Sequence, residues 1–83
     1  MVRLVFLGEL RALAPPEWAA VDLPAGVRTL ADLRAWLARE LPTAEAAFAR
    51  TVKMAVNLTL VHDLSTPVSD GDEVAFMPPM SGG

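Results

Sequence analysis

Leucine recurs at positions 30, 33, 37 and 41, and these spacings of 3, 4 and 4 lay one narrow apolar stripe along a helix. Thr29 stands where an N-cap belongs. Asp32, three residues on, puts a carboxylate among the unpaired amides at the positive end of the helix dipole. Trp36 flanks the stripe, Asp32 and Arg39 lie away from it, and Pro42 ends the helix. Such a stripe has to be covered by another layer, and the segments on either side of it read mostly as strands.

Val2 to Leu7 is rich in β-branched and aromatic residues and stops at Gly8. Val2, Leu4 and Phe6 face one way; Arg3, Val5 and Leu7 face the other. Glu9 to Ala14 suits a short helical turn halted by Pro15-Pro16, and Glu17 to Leu23 reads as a weaker second strand closed by Pro24-Ala25-Gly26. Thr43 is placed to cap a shorter second helix through Ala49, with Phe48 as its anchor. Met54 to Val61 alternates as one half-buried strand, with Met54, Val56, Leu58 and Leu60 on one face and Ala55, Asn57, Thr59 and Val61 on the other. Thr66-Pro67-Val68 holds a very short strand, and Asp70-Gly71 is a turn. Asp72 to Met77 forms the last strand, and Pro78-Pro79 stops the sheet because proline supplies no amide hydrogen. The folded domain therefore covers 1–79, and 80–83 forms a tail.

A strand pair, a helix laid across a mixed sheet and further strands make an α+β domain. At this length the order predicts the ubiquitin-like β-grasp: four to five strands, with one long and one or two short helices packed on one face. In that topology the first and last strands lie side by side in parallel at the sheet centre. Val2, Leu4, Phe6, Val74 and Phe76 then meet the helix stripe, while Val5, Leu7, Ala75 and Met77 gather on the uncovered face. Clustered apolar groups left open on a small domain mark a binding surface.

With 83 residues and 53% hydrophobic content the chain is one small domain with a true core. The absence of cysteine excludes disulfides, thiolate metal cages and a cysteine nucleophile. A net charge of −3 argues against nucleic acid as the main partner. No stretch approaches the roughly 20 apolar residues that cross a bilayer, and nothing reads as a secretory leader, so a soluble cytoplasmic protein is expected, with no membrane partner. His62, the single histidine, sits beside Asp63 with no second ligand or base and reads as a solvated loop residue. Asp63, Asp70 and Asp72 lack calcium-loop spacing and suit turns, so no bound metal or cofactor is expected.

One unusual group is left, the end Gly82-Gly83. With glycine near 7% of residues, such a pair ends about one chain in 200 by chance. Pro78-Pro79 stiffens the exit and Met80-Ser81 extends it. Glycine has no Cβ, so a tail of this kind threads a narrow tunnel and delivers a carboxylate to another protein's active site. A carboxylate is a poor electrophile and needs activation, most simply as an acyl-adenylate; its carbonyl then accepts an amine, a thiol or sulfide.

Three segments carry a family resemblance: Met54-Ala55-Val56-Asn57-Leu58-Thr59-Leu60-Val61, then Ser69-Asp70-Gly71-Asp72-Glu73-Val74-Ala75-Phe76, then Pro78-Pro79-Met80-Ser81-Gly82-Gly83. Together they resemble the small subunit of molybdopterin synthase, the MoaD family. The likeness extends over the whole chain, and Phe6 and Arg11 stand where that family has similar residues. Leu7 and Met77 depart from it, since aromatic residues are frequent there.

The resemblance implies a sulfur carrier. An ATP-dependent adenylyltransferase of the ubiquitin-activating type adenylates Gly83, and a sulfurtransferase or cysteine desulfurase supplies the sulfur that makes a thiocarboxylate. Met80, Ser81 and Gly82 then thread the large subunit of the synthase, and the sulfur passes to cyclic pyranopterin monophosphate to build the molybdopterin dithiolene. The implied assembly is a heterotetramer whose catalytic groups belong to the large subunit. The small subunit binds no cofactor of its own, ATP being used by the activating enzyme. Its partner interface is expected at Val5, Leu7, Arg11, Ala75, Met77, Pro78 and Pro79. Three other readings stand beside this one: a β-grasp carrier for thiamine or tRNA thiolation, a ubiquitin-like modifier joined to lysines, and an interaction module with an inert tail.

Overall fold

Five strands form one sheet in the order β2-β1-β5-β3-β4. They are β1 (Val2–Phe6), β2 (Ala20–Val21), β3 (Lys53–Val56), β4 (Thr59–Val61) and β5 (Glu73–Met77), with helix α1 (Leu30–Glu40) across one face. The computed structural model describes residues 1–49 and 51–79. β1 and β5 run parallel at the centre, Arg3 opposite Glu73 through Phe6 opposite Phe76. The β1–β2, β3–β5 and β3–β4 pairs are antiparallel. The expected β-grasp and its central parallel pair are both present.

The helix begins as its sequence dictates. Thr29 Oγ1 accepts from the Asp32 amide at 3.2 Å, and Asp32 Oδ2 accepts from the Thr29 amide at 3.2 Å, closing a reciprocal capping box. A further bond from the Arg28 amide is the chief cause that holds the Asp32 carboxyl below its ordinary range. The next amides, of Leu30 and Ala31, donate to the Thr66 and Leu64 carbonyls at 3.0 Å each, so the helix start is tied to the 64–66 loop. Leu30, Leu33 and Leu37 are fully buried. Leu41, already outside the helix as its C-cap, is only partly so.

Under the stripe lie Val2, Leu4, Phe6, Val74 and Phe76, as the alternation predicts. Phe6 stacks on Phe76 with centroids 4.8 Å apart, and Phe48 meets Phe76 edge-on at 5.4 Å. Trp18 closes the cluster at 5.9 Å from Phe6.

Three local expectations are corrected. The second strand shrinks from Glu17–Leu23 to Ala20–Val21, because Pro16 opens a 3₁₀ turn over Pro16–Ala19 that swings Trp18 into the core. The short helical turn expected before it is present, as a 3₁₀ segment over Gly8–Leu13 that buries Leu10. The segment after α1 is also 3₁₀, Pro42–Phe48; Leu41 and not Thr43 occupies its N-cap, and Ala44, Ala47 and Phe48 are buried. Thr66-Pro67-Val68 makes only one bridge, Thr29 to Pro67.

The largest correction concerns 54–61, which is a hairpin and not one strand. Asn57 and Leu58 take φ of 50° and 70°, turning the chain between Val56 and Thr59, which pair directly. Ala55 and Leu60 are therefore opposite one another and share a face, and so do Met54 and Val61. A continuous alternation assigns both pairs to opposite faces.

Candidate functional site

On the sheet face away from α1, the register sets Val5 opposite Ala75, Ala75 opposite Ala55 and Ala55 opposite Leu60. This is an apolar row across four strands. One step along, Leu7 follows β1 and donates its amide to the Phe76 carbonyl at 2.9 Å, while Met77 closes β5 opposite Lys53. Leu7 is 42% exposed and Leu60 47%; Val5, Ala75 and Met77 are half-buried. The predicted residues Val5, Leu7, Ala75 and Met77 therefore do converge, joined by Ala55 and Leu60. Those two were missed because the turn at Asn57-Leu58 contains no glycine. The available signal was Asn57, a residue type that tolerates positive φ. Toward the other end of the sheet the face becomes polar, where Arg3 pairs with Glu73 at 3.2 Å.

β5 leads directly into Pro78 and Pro79, and its exit is shaped by a glycine in β1's wake. Gly8 has φ +56°, and a Cβ there would stand 3.1 Å from Pro78 Cγ. Pro78 thus rests on a position that only glycine fills without displacement. Arg11 is exposed on the 3₁₀ segment and borders a groove of about 350 Å³ together with Val5, Pro15, Pro16 and Trp18, at the β1 margin of the face. Met80, Ser81, Gly82 and Gly83 lie outside the described residues.

The two internal motifs prove to be bonded to each other. Asn57 Nδ2 donates to Asp72 Oδ1 at 3.0 Å, the Glu73 amide donates to Asn57 Oδ1 at 2.9 Å, and the Asn57 amide donates to the Glu73 carbonyl at 2.8 Å. The other Asp72 oxygen accepts from the Ser69 amide at 2.9 Å. The Asn57 bond first, then the Ser69 amide, hold the Asp72 carboxyl below its usual value. Asp63 is lowered likewise by the Ser65 hydroxyl and amide. These aspartates fasten turns. Among the described residues no three His, Cys, Asp or Glu side chains gather as a metal-ligand set, and His62 is exposed just past β4. What the arrangement offers is a partly exposed apolar face and, at its edge, a Pro78 held against Gly8.

Residues 4–83 match the ThiS family. The chain belongs to that family. It is 36% identical to the molybdopterin synthase sulfur carrier subunit of Escherichia coli over 84 residues, covering 100% of both chains. Its fold is similar to the crystal structure of SAMP1 from Haloferax volcanii, with a TM-score of 0.74, 21% identity and 99% and 98% of the two chains covered. A second solved structure is a complex of subunits 1 and 2 of molybdopterin-converting factor from Helicobacter pylori. There the match has a TM-score of 0.64 and 26% identity over 99% of this chain and 97% of that one. This ThiS-family chain is a sulfur carrier of the ThiS/MoaD type. None of its helices, among the described residues, is long and apolar enough to cross a membrane.

Proposed function

We propose that this sulfur carrier is the small subunit of a molybdopterin synthase. The observation that carries the reading is the end-to-end identity of 36% with a sulfur carrier subunit of that enzyme. An apolar face beside the tail root supports it, because a carrier has to dock before its tail is used.

In this reading the Gly83 carboxylate attacks the α-phosphorus of ATP on an adenylyltransferase, pyrophosphate leaves, and an acyl-adenylate forms. The terminal sulfur of a persulfide on a sulfurtransferase or cysteine desulfurase attacks the glycyl carbonyl and displaces AMP. A second thiol then cleaves the resulting acyl disulfide, leaving the thiocarboxylate on Gly83 and a disulfide on the donor side. The row Val5, Ala75, Ala55 and Leu60, with Leu7 and Met77, seats on the large subunit. Pro78 and Pro79 aim the tail, and Met80, Ser81 and Gly82 thread the channel to cyclic pyranopterin monophosphate. A soft anionic sulfur held in a closed channel is oriented on its target and shielded from hydrolysis. The chain supplies the reactive end and the docking face; acid–base groups come from the partner.

Incubating the full chain with the adenylyltransferase, ATP and a sulfur donor is expected to replace one oxygen of Gly83 by sulfur, read by intact mass. The charged chain plus the large subunit then converts cyclic pyranopterin monophosphate to molybdopterin. No mass gain refutes the carrier chemistry. A mass gain with no dithiolene formed assigns the sulfur to thiamine or tRNA thiolation instead.

A further inference from the structure

Beside the tail root a groove of about 560 Å³ opens between α1, the start of β3 and the end of β4. Its rim carries Arg34, Lys53 and His62, its apolar wall includes Val61 and Leu64, and Pro79 stands at its edge. The chain as a whole has ten acidic against seven basic residues, yet among the described residues no carboxylate lines this groove. Among the described residues, neither Arg34, Lys53 nor His62 hydrogen-bonds to, or pairs with, an acidic side chain. Asp63, the acidic residue adjoining His62 in the chain, is engaged by the Ser65 amide at 2.8 Å and its hydroxyl at 2.7 Å. Positive charge is therefore concentrated, and left without a local partner, on an otherwise acidic molecule.

The groove lies on the α1 side of the sheet, and Lys53 joins its rim to the apolar face on the other side. Lys53 stands directly opposite Met77 in the β3–β5 ladder, on the same side of the sheet. Any protein that covers Met77 and receives the chain after Pro79 has to meet Lys53. From this contiguity we propose that the groove is a second docking site, for an acidic segment of the protein that takes up the tail, an inference that rests on the functional reading above. Carboxylates of that segment pair with Arg34 and Lys53, and an apolar side chain enters between Val61 and Leu64. The apolar wall favours a peptide over a bare phosphate, and the net charge of −3 disfavours a polyanion.

The test is binding of the full chain to the molybdopterin synthase large subunit at about 50 mM and about 500 mM NaCl, where the screening length falls severalfold. Wild type is expected to weaken with salt. Arg34→Glu with Lys53→Glu is expected to bind at least about tenfold more weakly at low salt, mostly through a slower association rate, and to lose the salt response. The neutral pair Arg34→Gln and Lys53→Gln is expected to lie between them. Both variants should keep the wild-type melting temperature, since these side chains are not in the core. Unchanged affinity and salt response in both, with Leu7→Asp still weakening the complex, would overturn the groove assignment and leave the functional reading standing. Competition by inorganic phosphate beyond its ionic strength would overturn it in favour of a phosphate ligand. No binding by wild type at any salt overturns both.

Discussion

Replacing Gly8 by alanine tests whether the tail root is held in place by backbone geometry. Two costs follow from the structure. Alanine at φ +56° occupies the left-handed region at about 1–2 kcal/mol. Its Cβ would lie 3.1 Å from Pro78 Cγ, so Pro78 must yield by a few tenths of an ångström, adding up to about 1 kcal/mol. The sum, about 1–3 kcal/mol, is large against the roughly 4–12 kcal/mol available to a domain of this size, but the fold survives. At about 4–8 °C per kcal/mol the melting temperature drops by about 5–20 °C, measurable by calorimetry on the full chain. Gly8→Asn separates the two costs, because asparagine accepts left-handed φ while keeping the Cβ contact; it should fall between alanine and glycine. Sulfur transfer, assayed well below either melting point, should slow in both variants because Pro78 is displaced. A Gly8→Ala protein within about 0.5 kcal/mol of wild type, transferring sulfur normally, would refute the idea that this glycine sets the exit.

Other substitutions probe the remaining parts. Leu7→Asp is expected to weaken docking to the large subunit by about 2–4 kcal/mol, some thirtyfold or more in calorimetric titration, because a carboxylate is desolvated without a partner. Its melting temperature should barely move, since Leu7 is already 42% exposed. Phe76→Ala removes a fully buried ring stacked on Phe6 and costs about 3–5 kcal/mol, enough to abolish cooperative unfolding or lower the melting temperature by tens of degrees in circular dichroism. The lowered carboxyls of Asp72, Asp32 and Asp63 stabilise the fold above their unfolded value of about 3.9, and that contribution is lost as pH falls through their folded values. Stability should therefore decline below about pH 4, and Asp72→Asn should show a shallower acid limb in pH-dependent denaturant melts. Deleting Gly83 should abolish the mass gain without shifting the melt, because the last strand ends at Met77.

The inner architecture was legible because each signal was local and doubled. Leu30, Leu33 and Leu37 repeat at helical spacing behind a Thr29–Asp32 cap, and Val2, Leu4 and Phe6 repeat at strand spacing before a glycine. The uncovered face was half legible. Val5, Leu7, Ala75 and Met77 lie on uninterrupted strands, so their parity held. Leu60 lies beyond a turn that leaves the alternation of side chains outwardly intact, and parity carried through a turn assigns the wrong face. The second strand failed for another reason. Trp18 and Val21 look like strand residues, but Pro15-Pro16 start a 3₁₀ turn that buries the same tryptophan by a different path. The approach of Gly8 to Pro78 links positions far apart in sequence, and no local pattern announces it.

The parallel pairing of β1 and β5 also bears on folding. Arg3 and Glu73 lie about 70 residues apart in the chain, so the central ladder is among the least local pairings in the molecule and carries a large loop-closure cost. The apolar row proposed for docking is split across that ladder, Val5 on one side and Ala75 on the other. A chain caught before closure presents neither the row nor a root held against Gly8. Under the proposed function, docking therefore depends on a closed central ladder, so the surface a partner would read is complete only in the fully folded chain.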